Sequence, residues 1–214
     1  EKLGLPSFKI GELRGDVQVG SGIAQEQSPL PEPYWVISTD PRRIGCATWP
    51  SEYWQELGKT LSTKLRLVQV VLPGENPDPR VNAAELLTAS SYEQVIRYVY
   101  HAEALVSTAN FLVHLAAALP DNNGKKRPCV TILGGRESPE WVGYPGHVVL
   151  HTIGELDCCS DRGCDKSNLT GHNACVYPID VASGIYAKCQ VLITPEAVAA
   201  ELNPWKQIQS ESSS

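Results

Sequence analysis

The chain has 214 residues and a formal net charge of −6 at pH 7, with 42% hydrophobic and 20% charged residues. A chain of this length can bury a sizeable core, in one large domain or two small ones. The acidic balance argues against a nucleic-acid-binding protein, because phosphate contacts need a basic patch. No apolar run approaches the roughly eighteen residues that a membrane span needs. Because methionine is absent, we expect the sequence to be a processed or cut part of a longer protein.

The predicted elements alternate between apolar strands and amphipathic helices. Residues 1–33 are rich in Gly, Pro and Gln and predict a connecting segment, and residues 209–214 predict a disordered tail. Period and residue type predict strands at 34–39, 65–72, 104–107 and 129–135, and helices at 49–61, 90–105, 110–119 and 194–205.

Strands alternating with helices at this spacing predict an α/β fold, a Rossmann-like parallel sheet covered on both faces. We expect one such domain over residues 34–208, with a cysteine-rich insert at 156–190 before the last helix. Ligands of these sheets bind at the carboxyl ends of the strands. The segments STDPRR (38–43), STAN (107–110) and GGRE (134–137) follow predicted strands, so we expect the site where they meet.

Five of the seven cysteines fall within the insert: Cys158, Cys159, Cys164, Cys175 and Cys189. The intervening segments are polar turn-formers with too few apolar groups to form a core of their own, so the insert needs a cross-link such as a metal ion or disulfides. A metal held by four thiolates is favoured over disulfides and over unlinked thiols. Disulfides would need an oxidising compartment and would leave one cysteine unpaired. The residues do not choose between Fe and Zn, and His151 and His172 are further candidate ligands.

Four segments, taken in order, carry a family resemblance: WPSEYWQEL (49–57), SSYEQVIRYVYHAEALVSTANFLVHLAAAL (90–119), ILGGRESPEWVGYPGHVVLHTIGELDCC (132–159) and ITPEAV (193–198). Together they resemble the C-terminal half of bacterial heptosyltransferase-like proteins, which are glycosyltransferase family 9 enzymes of the GT-B fold. The likeness is strongest to the branch with a cysteine metal finger ahead of an ITPE helix. It extends over roughly residues 30–200.

The resemblance implies a cytoplasmic half-enzyme that binds a nucleotide-sugar donor such as ADP-heptose. The acceptor-binding N-terminal half would be missing from this chain or supplied by another subunit, so this half would bind without transferring. The resemblance also implies a structural iron held by Cys158 or Cys159 together with Cys164, Cys175 and Cys189. A finger of this kind would orient the last helix and would give a homo-oligomer contact.

Candidate ligand-binding residues follow from the same likeness. Ser38, Thr39, Arg42 and Arg43 would face the diphosphate, since an arginine guanidinium can bind phosphate through two hydrogen bonds. Thr108, Asn110 and His114 would line the nucleotide-sugar pocket. The backbone of Gly134 and Gly135, just after a strand, allows a close approach to a ligand. The residues show no nucleophile–base constellation, and Cys46 near the rim is interpreted as an incidental thiol.

The chain departs from the family pattern at the site itself. The family's lysine just before WP is replaced by Ala47 and Thr48, and its D-S/T-G motif has Ala109 and Phe111 at the acidic and glycine positions. These departures give an alternative hypothesis, a non-catalytic subunit that is stapled by metal and serves binding or assembly. A thiol-based redox or metal-trafficking module is a third.

Overall fold

A computed structural model describes residues 27–39, 47–63, 66–119, 127–160, 163–164 and 175–202. Several predictions lie wholly or partly outside these ranges. They concern the connecting segment up to residue 26, the residues Arg42, Arg43, Cys46 and His172, and the tail at 209–214.

A six-stranded sheet with the order β3-β2-β1-β4-β5-β6 forms the centre of the fold. Every neighbouring pair of its strands runs parallel, which confirms the Rossmann-like α/β prediction. Its strands are β1 (Trp35–Ser38), β2 (Leu67–Val71), β3 (Glu85–Thr88), β4 (Ala104–Thr108), β5 (Cys129–Gly134) and β6 (His147–His151). Strands β3 and β6 were not predicted from the sequence. Both are edge strands and both are only partly buried, so neither shows the continuous apolar run of a central strand.

Helices cover both faces of this sheet. They are α1 (Ser51–Ser62), α2 (Tyr92–His101), α3 (Phe111–Ala118), the short α4 (Lys188–Val191) and α5, which is helical over residues 195–202. Helix α2 ends earlier than predicted, because the backbone at Ala102 is extended. The predicted apolar face of α1 is confirmed, since Trp54, Leu57 and Leu61 are buried. The buried side chains on the two faces of the sheet form separate hydrophobic cores, one under α2 and α3 and the other under α1 and α5.

A buried arginine joins the far ends of α2 and α3. Arg127 is 1% exposed, and its Nε donates to the carbonyl of Ala102 at 2.7 Å. Its Nη1 donates to the carbonyl of Leu119 at 3.0 Å, and its Nη2 donates to the carbonyl of Tyr100. These carbonyls lie at the C-terminal ends of two helices, where backbone acceptors are left unpaired and a positive charge is favoured. Arg127 therefore satisfies both helix ends at once.

The cysteine-rich insert contains an antiparallel hairpin of β7 (Pro178–Val181) and β8 (Gly184–Ala187). The hairpin lies against the start of α1, whose N-cap residue Pro50 provides no side-chain hydrogen bond. The Tyr186 hydroxyl lies 3.4 Å from the amide nitrogen of Ser51 and accepts its hydrogen bond, while Ser183 donates to the Glu52 carboxylate. The insert thus supplies the cap that the helix's own sequence lacks.

Within the ranges that the structure describes, no helix is both long enough and apolar enough to cross a membrane.

Candidate functional site

A cavity of about 510 Å³ opens at the carboxyl ends of β1 and β2. Strand β1 lies between β2 and β4, so the chain leaves it in one direction and later returns to its other side. Such a reversal of strand order is where open α/β sheets bind ligands. The cavity floor is apolar and consists of Val70, Val71, Leu72 and Pro77. A site was predicted at the carboxyl ends of the strands, and this cavity lies at the carboxyl ends of β1 and β2.

Three residues singled out from the sequence line this cavity: Ser38, Thr39 and Asn110. Asn110 caps α3, because its side chain accepts from the amide of Leu112 at 2.9 Å. The same amide group donates to the Ser38 hydroxyl through Nδ2 at 3.1 Å. One side chain thus fixes both the start of α3 and a hydroxyl at the end of β1.

Gln69 is a polar lining residue that was not predicted from the sequence. It is fully buried, and its Nε2 donates to the Thr39 hydroxyl at 3.0 Å and to the Pro79 carbonyl at 2.8 Å. Its Oε1 accepts from the amide of Val81 at 2.8 Å. The single glutamine inside the apolar run LRLVQVVL could have indicated this residue, because a polar side chain in a buried strand needs specific hydrogen-bond partners.

Two aromatic residues stand at the mouth of the cavity. Tyr92 and Phe111 are the first residues of α2 and α3, and their rings meet edge to face with centroids 5.8 Å apart. They are 58% and 43% exposed. Large exposed aromatic rings beside an apolar cavity are typical of a ligand-binding surface. Both helices also direct their positive N-terminal ends toward the cavity, which favours an anionic ligand.

Glu75 provides a carboxylate to the same cavity from the turn after β2. An ionised carboxylate only accepts hydrogen bonds, so it suits a ligand with hydroxyl groups. The neighbouring lining residue Asn76 offers both a donor and an acceptor. Neither residue was singled out from the sequence, since PGEN reads as an ordinary turn.

The other predicted ligand-binding residues that the structure describes do not line this cavity. Thr108 is 2% exposed, and its hydroxyl has no hydrogen-bond partner among the residues that the structure describes. Gly134 has a φ of +68° and lies against the side chain of Gln190. A Cβ added at Gly135 would lie 2.8 Å from the sulfur of Cys159. The two glycines therefore permit close contact with the cysteine insert, and their predicted approach to a ligand remains a prediction.

His114 lies one helical turn after Phe111 on α3. Its Nδ1 is 2.7 Å from the hydroxyl of Tyr144, and the two rings are nearly perpendicular, at 88°. Burial lowers the pKa of His114, an effect that the Glu137 carboxylate partly opposes. Burial raises the pKa of Tyr144. Both groups are therefore neutral at neutral pH, and they share one hydrogen bond.

The five cysteines of the insert come into one neighbourhood of the fold. Cys159 and Cys189 both lie against Gly135, and the amide of Cys164 donates to the carbonyl of Arg136 at 3.1 Å. Burial, helped by the nearby thiols of Cys159, Cys164 and Cys175, raises the pKa of Cys158 to about 11. The described cysteines, including Cys129 in the sheet, are all free thiols.

A thiolate-preferring ion such as Fe or Zn fits the chemistry of these donors. The contacts of Cys159 and Cys189 with Gly135 bring two of them to a position where a side chain would not fit. Nevertheless, no group of three or more His, Cys, Asp or Glu side chains is placed to hold a metal ion in the part of the chain that the structure describes. The thiol ligands are of the chemical type that Fe and Zn prefer. Coordination of one ion by four of these cysteines remains a prediction.

The fold and cavity define a Rossmann-like domain of the kind that binds a ligand at a switch in strand order. Residues 16–146 match the sequence model of glycosyltransferase family 9 (heptosyltransferase). The chain therefore belongs to glycosyltransferase family 9. A comparison with curated proteins gave no match.

Several solved structures have a similar fold. The Escherichia coli ADP-heptose LPS heptosyltransferase II is 18% identical with a TM-score of 0.57, over 91% of this chain and 54% of that protein. The E. coli heptosyltransferase WaaC with ADP is 25% identical with a TM-score of 0.51, over 66% of this chain and 44% of that one.

The iron-containing, dodecameric heptosyltransferase TibC of enterotoxigenic E. coli, in complex with ADP-D-β-D-heptose, is 19% identical with a TM-score of 0.57. The match covers 87% of this chain and 48% of TibC. The chain thus spans about half the length of these proteins.

Proposed function

We propose that this chain is the donor-binding half of a glycosyltransferase that transfers a heptose-type sugar from a nucleotide diphosphate sugar such as ADP-heptose. The acceptor half would come from outside this chain, as an N-terminal half or a separate subunit. The observation that carries the proposal is the cavity at the switch in strand order, with an apolar floor, two exposed aromatic rings and hydrogen-bonding side chains. Family membership and the solved relatives with ADP or ADP-heptose support the same ligand class.

The arrangement of groups in the cavity suits the parts of such a ligand. A flat base would lie between the apolar floor and the rings of Tyr92 and Phe111, which line the cavity. The Glu75 carboxylate provides acceptors for ribose hydroxyls. The N-terminal ends of α2 and α3, with the hydroxyls of Ser38 and Thr39, favour the diphosphate. In this proposal the chain binds and orients the donor, and the catalytic base belongs to the acceptor half.

A titration with ADP tests this proposal with a matched pair of variants. Asn110→Ala and Thr194→Ala each remove one N-cap hydrogen bond, from α3 and α5 respectively, and each should cost about 1 kcal/mol of stability. Only Asn110 also holds the cavity hydroxyl of Ser38. We expect isothermal titration calorimetry to show ADP affinity reduced about fivefold to tenfold in Asn110→Ala and little changed in Thr194→Ala. Equal affinity in both variants, or no ADP binding by the wild-type chain at millimolar concentration, would count against the proposal.

We further propose that the cysteine insert holds one structural metal ion, Fe or Zn, in a reduced, cytoplasmic setting. Cys159, Cys164, Cys175 and Cys189, with Cys158 in place of Cys159 as the alternative, would hold it. The ion would cross-link the hairpin, α4 and the end of β5. The free thiols around Gly135 support this assignment, and the relative TibC is iron-containing and dodecameric. By that likeness we propose a homo-oligomer as well.

A second candidate function is a non-catalytic binding or assembly subunit of the same fold. The position of Phe111 favours it, since this ring stands at the cavity mouth where the family pattern has glycine, and Ala109 replaces an acidic residue. Addition of a separately supplied acceptor half distinguishes the two functions. Restored sugar transfer would exclude the second candidate, and ADP binding without transfer would favour it.

A further inference from the structure

We propose that Tyr144 is a positioning residue that holds His114 as its Nε2–H tautomer, so that this N–H donates to the sugar-bearing part of the bound donor. The inference rests on the proposed function, and it assigns a role to a residue outside the nucleotide cavity. It is carried by the hydrogen bond between the two side chains and by the place of His114 on α3.

The hydrogen bond determines which ring nitrogen carries the proton. The Tyr144 hydroxyl lies 2.7 Å from His114 Nδ1, a typical O–H···N distance. A phenol is a better donor than acceptor, and a neutral imidazole has one unprotonated nitrogen that accepts. With Nδ1 accepting from Tyr144, the proton of the neutral ring is on Nε2.

The tyrosine is itself held in place. Its amide donates to the carbonyl of Val142 at 3.1 Å, and the amide of His147 donates to the Tyr144 carbonyl at 2.9 Å. The ring of His147 meets the Tyr144 ring edge to face, with centroids 5.5 Å apart. Tyr144 also packs against the core under α3. A tyrosine fixed in this way fixes the orientation of the imidazole.

The other face of His114 is open. His114 and Phe111 are both exposed on α3 and lie one turn apart, and Phe111 lines the nucleotide cavity. Glu137, the carboxylate facing His114, is paired with Arg136 at 3.1 Å. An N–H donor beside a held carboxylate provides complementary partners for sugar hydroxyls, which both donate and accept. Because Phe111 lines the cavity and His114 follows it by one turn of α3, this pair lies next to the cavity, and the proposal assigns it to the sugar-bearing part of the donor.

Long-range ¹H–¹⁵N NMR of the histidines tests the tautomer without any ligand. We expect the Nε2–H form at His114 in the wild-type chain and a mixture of tautomers in Tyr144→Phe, with Tyr177→Phe, on the insert, unchanged. An Nδ1–H form in the wild-type chain would overturn the inference, whatever the chain binds.

Calorimetric titration with ADP and with ADP-heptose tests the role. Tyr144→Phe and His114→Ala should weaken ADP-heptose binding about fivefold to tenfold, as for one lost hydrogen bond, and should leave ADP binding within about twofold. His114→Gln, whose amide N–H replaces Nε2–H without needing Tyr144, should retain most of the affinity for ADP-heptose. Equal losses for both ligands would show a structural effect and overturn the inference. Failure of the wild-type chain to bind either ligand would instead refute the proposed function. The NMR experiment would still show whether Tyr144 determines the tautomer of His114.

Discussion

Replacing Arg127 by methionine is expected to lower the free energy of unfolding by about 3–5 kcal/mol, because three buried carbonyls would lose their donor. Methionine retains much of the side-chain volume but none of the donors. The carbonyls of Tyr100, Ala102 and Leu119 lie at the ends of two helices, and the methionine side chain would not admit water to them. Equilibrium unfolding in urea measures the effect.

Arg66→Met is the matched control for this prediction. Arg66 pairs with Glu85 at 2.7 Å, and its side chain is much more exposed. Exposed ion pairs contribute little to stability, so this variant should unfold at nearly the wild-type urea concentration. Equal destabilisation by the two replacements would contradict the role assigned to Arg127.

Replacing Cys159 by serine is expected to reduce metal affinity by more than about 100-fold, since a neutral hydroxyl is a poor substitute for a thiolate ligand. Cys159 is 1% exposed, and its sulfur lies against the backbone of Gly135. Metal analysis of the purified protein, with a thiol count on the same sample, measures the effect.

Cys129→Ala is the control for the metal prediction. Cys129 is also a buried free thiol, but it lies at the start of β5, and burial raises its pKa to about 12. Its loss should cost packing energy and leave the metal content unchanged. A wild-type chain that contains disulfides and no metal would contradict the proposed site. A Cys159→Ser variant that retains full metal content would exclude Cys159 as the ligand and leave Cys158 in its place.

The central strands and main helices could be predicted because their signals are local. Buried parallel strands are continuous apolar runs, and α1 repeats apolar residues on one face. The edge strands β3 and β6 lacked that signal, since each has exposed positions. The hairpin of the insert was also missed, because its short strands are held by contacts with α1 that are distant in sequence.

The position of the candidate cavity was predictable from the sequence, and its lining residues only in part. Parallel strands bring their carboxyl ends to one edge, so Ser38, Thr39 and Asn110 were expected to meet, and they line one cavity. Tyr92 and Glu75 could not be assigned from sequence, because an exposed aromatic residue or a turn carboxylate becomes informative only when a cavity is seen beside it. Gly134 and Gly135 were recognised as special positions, but their close neighbours belong to the insert.

A crystal structure of the chain grown with ADP would show whether the cavity binds the donor nucleotide. We expect a nucleotide in the cavity of about 510 Å³ at the ends of β1 and β2, with its base beside Tyr92 and Phe111 and its phosphates near Ser38 and the start of α3. ADP bound at another surface, or a cavity that remains free of nucleotide at millimolar ADP, would contradict it.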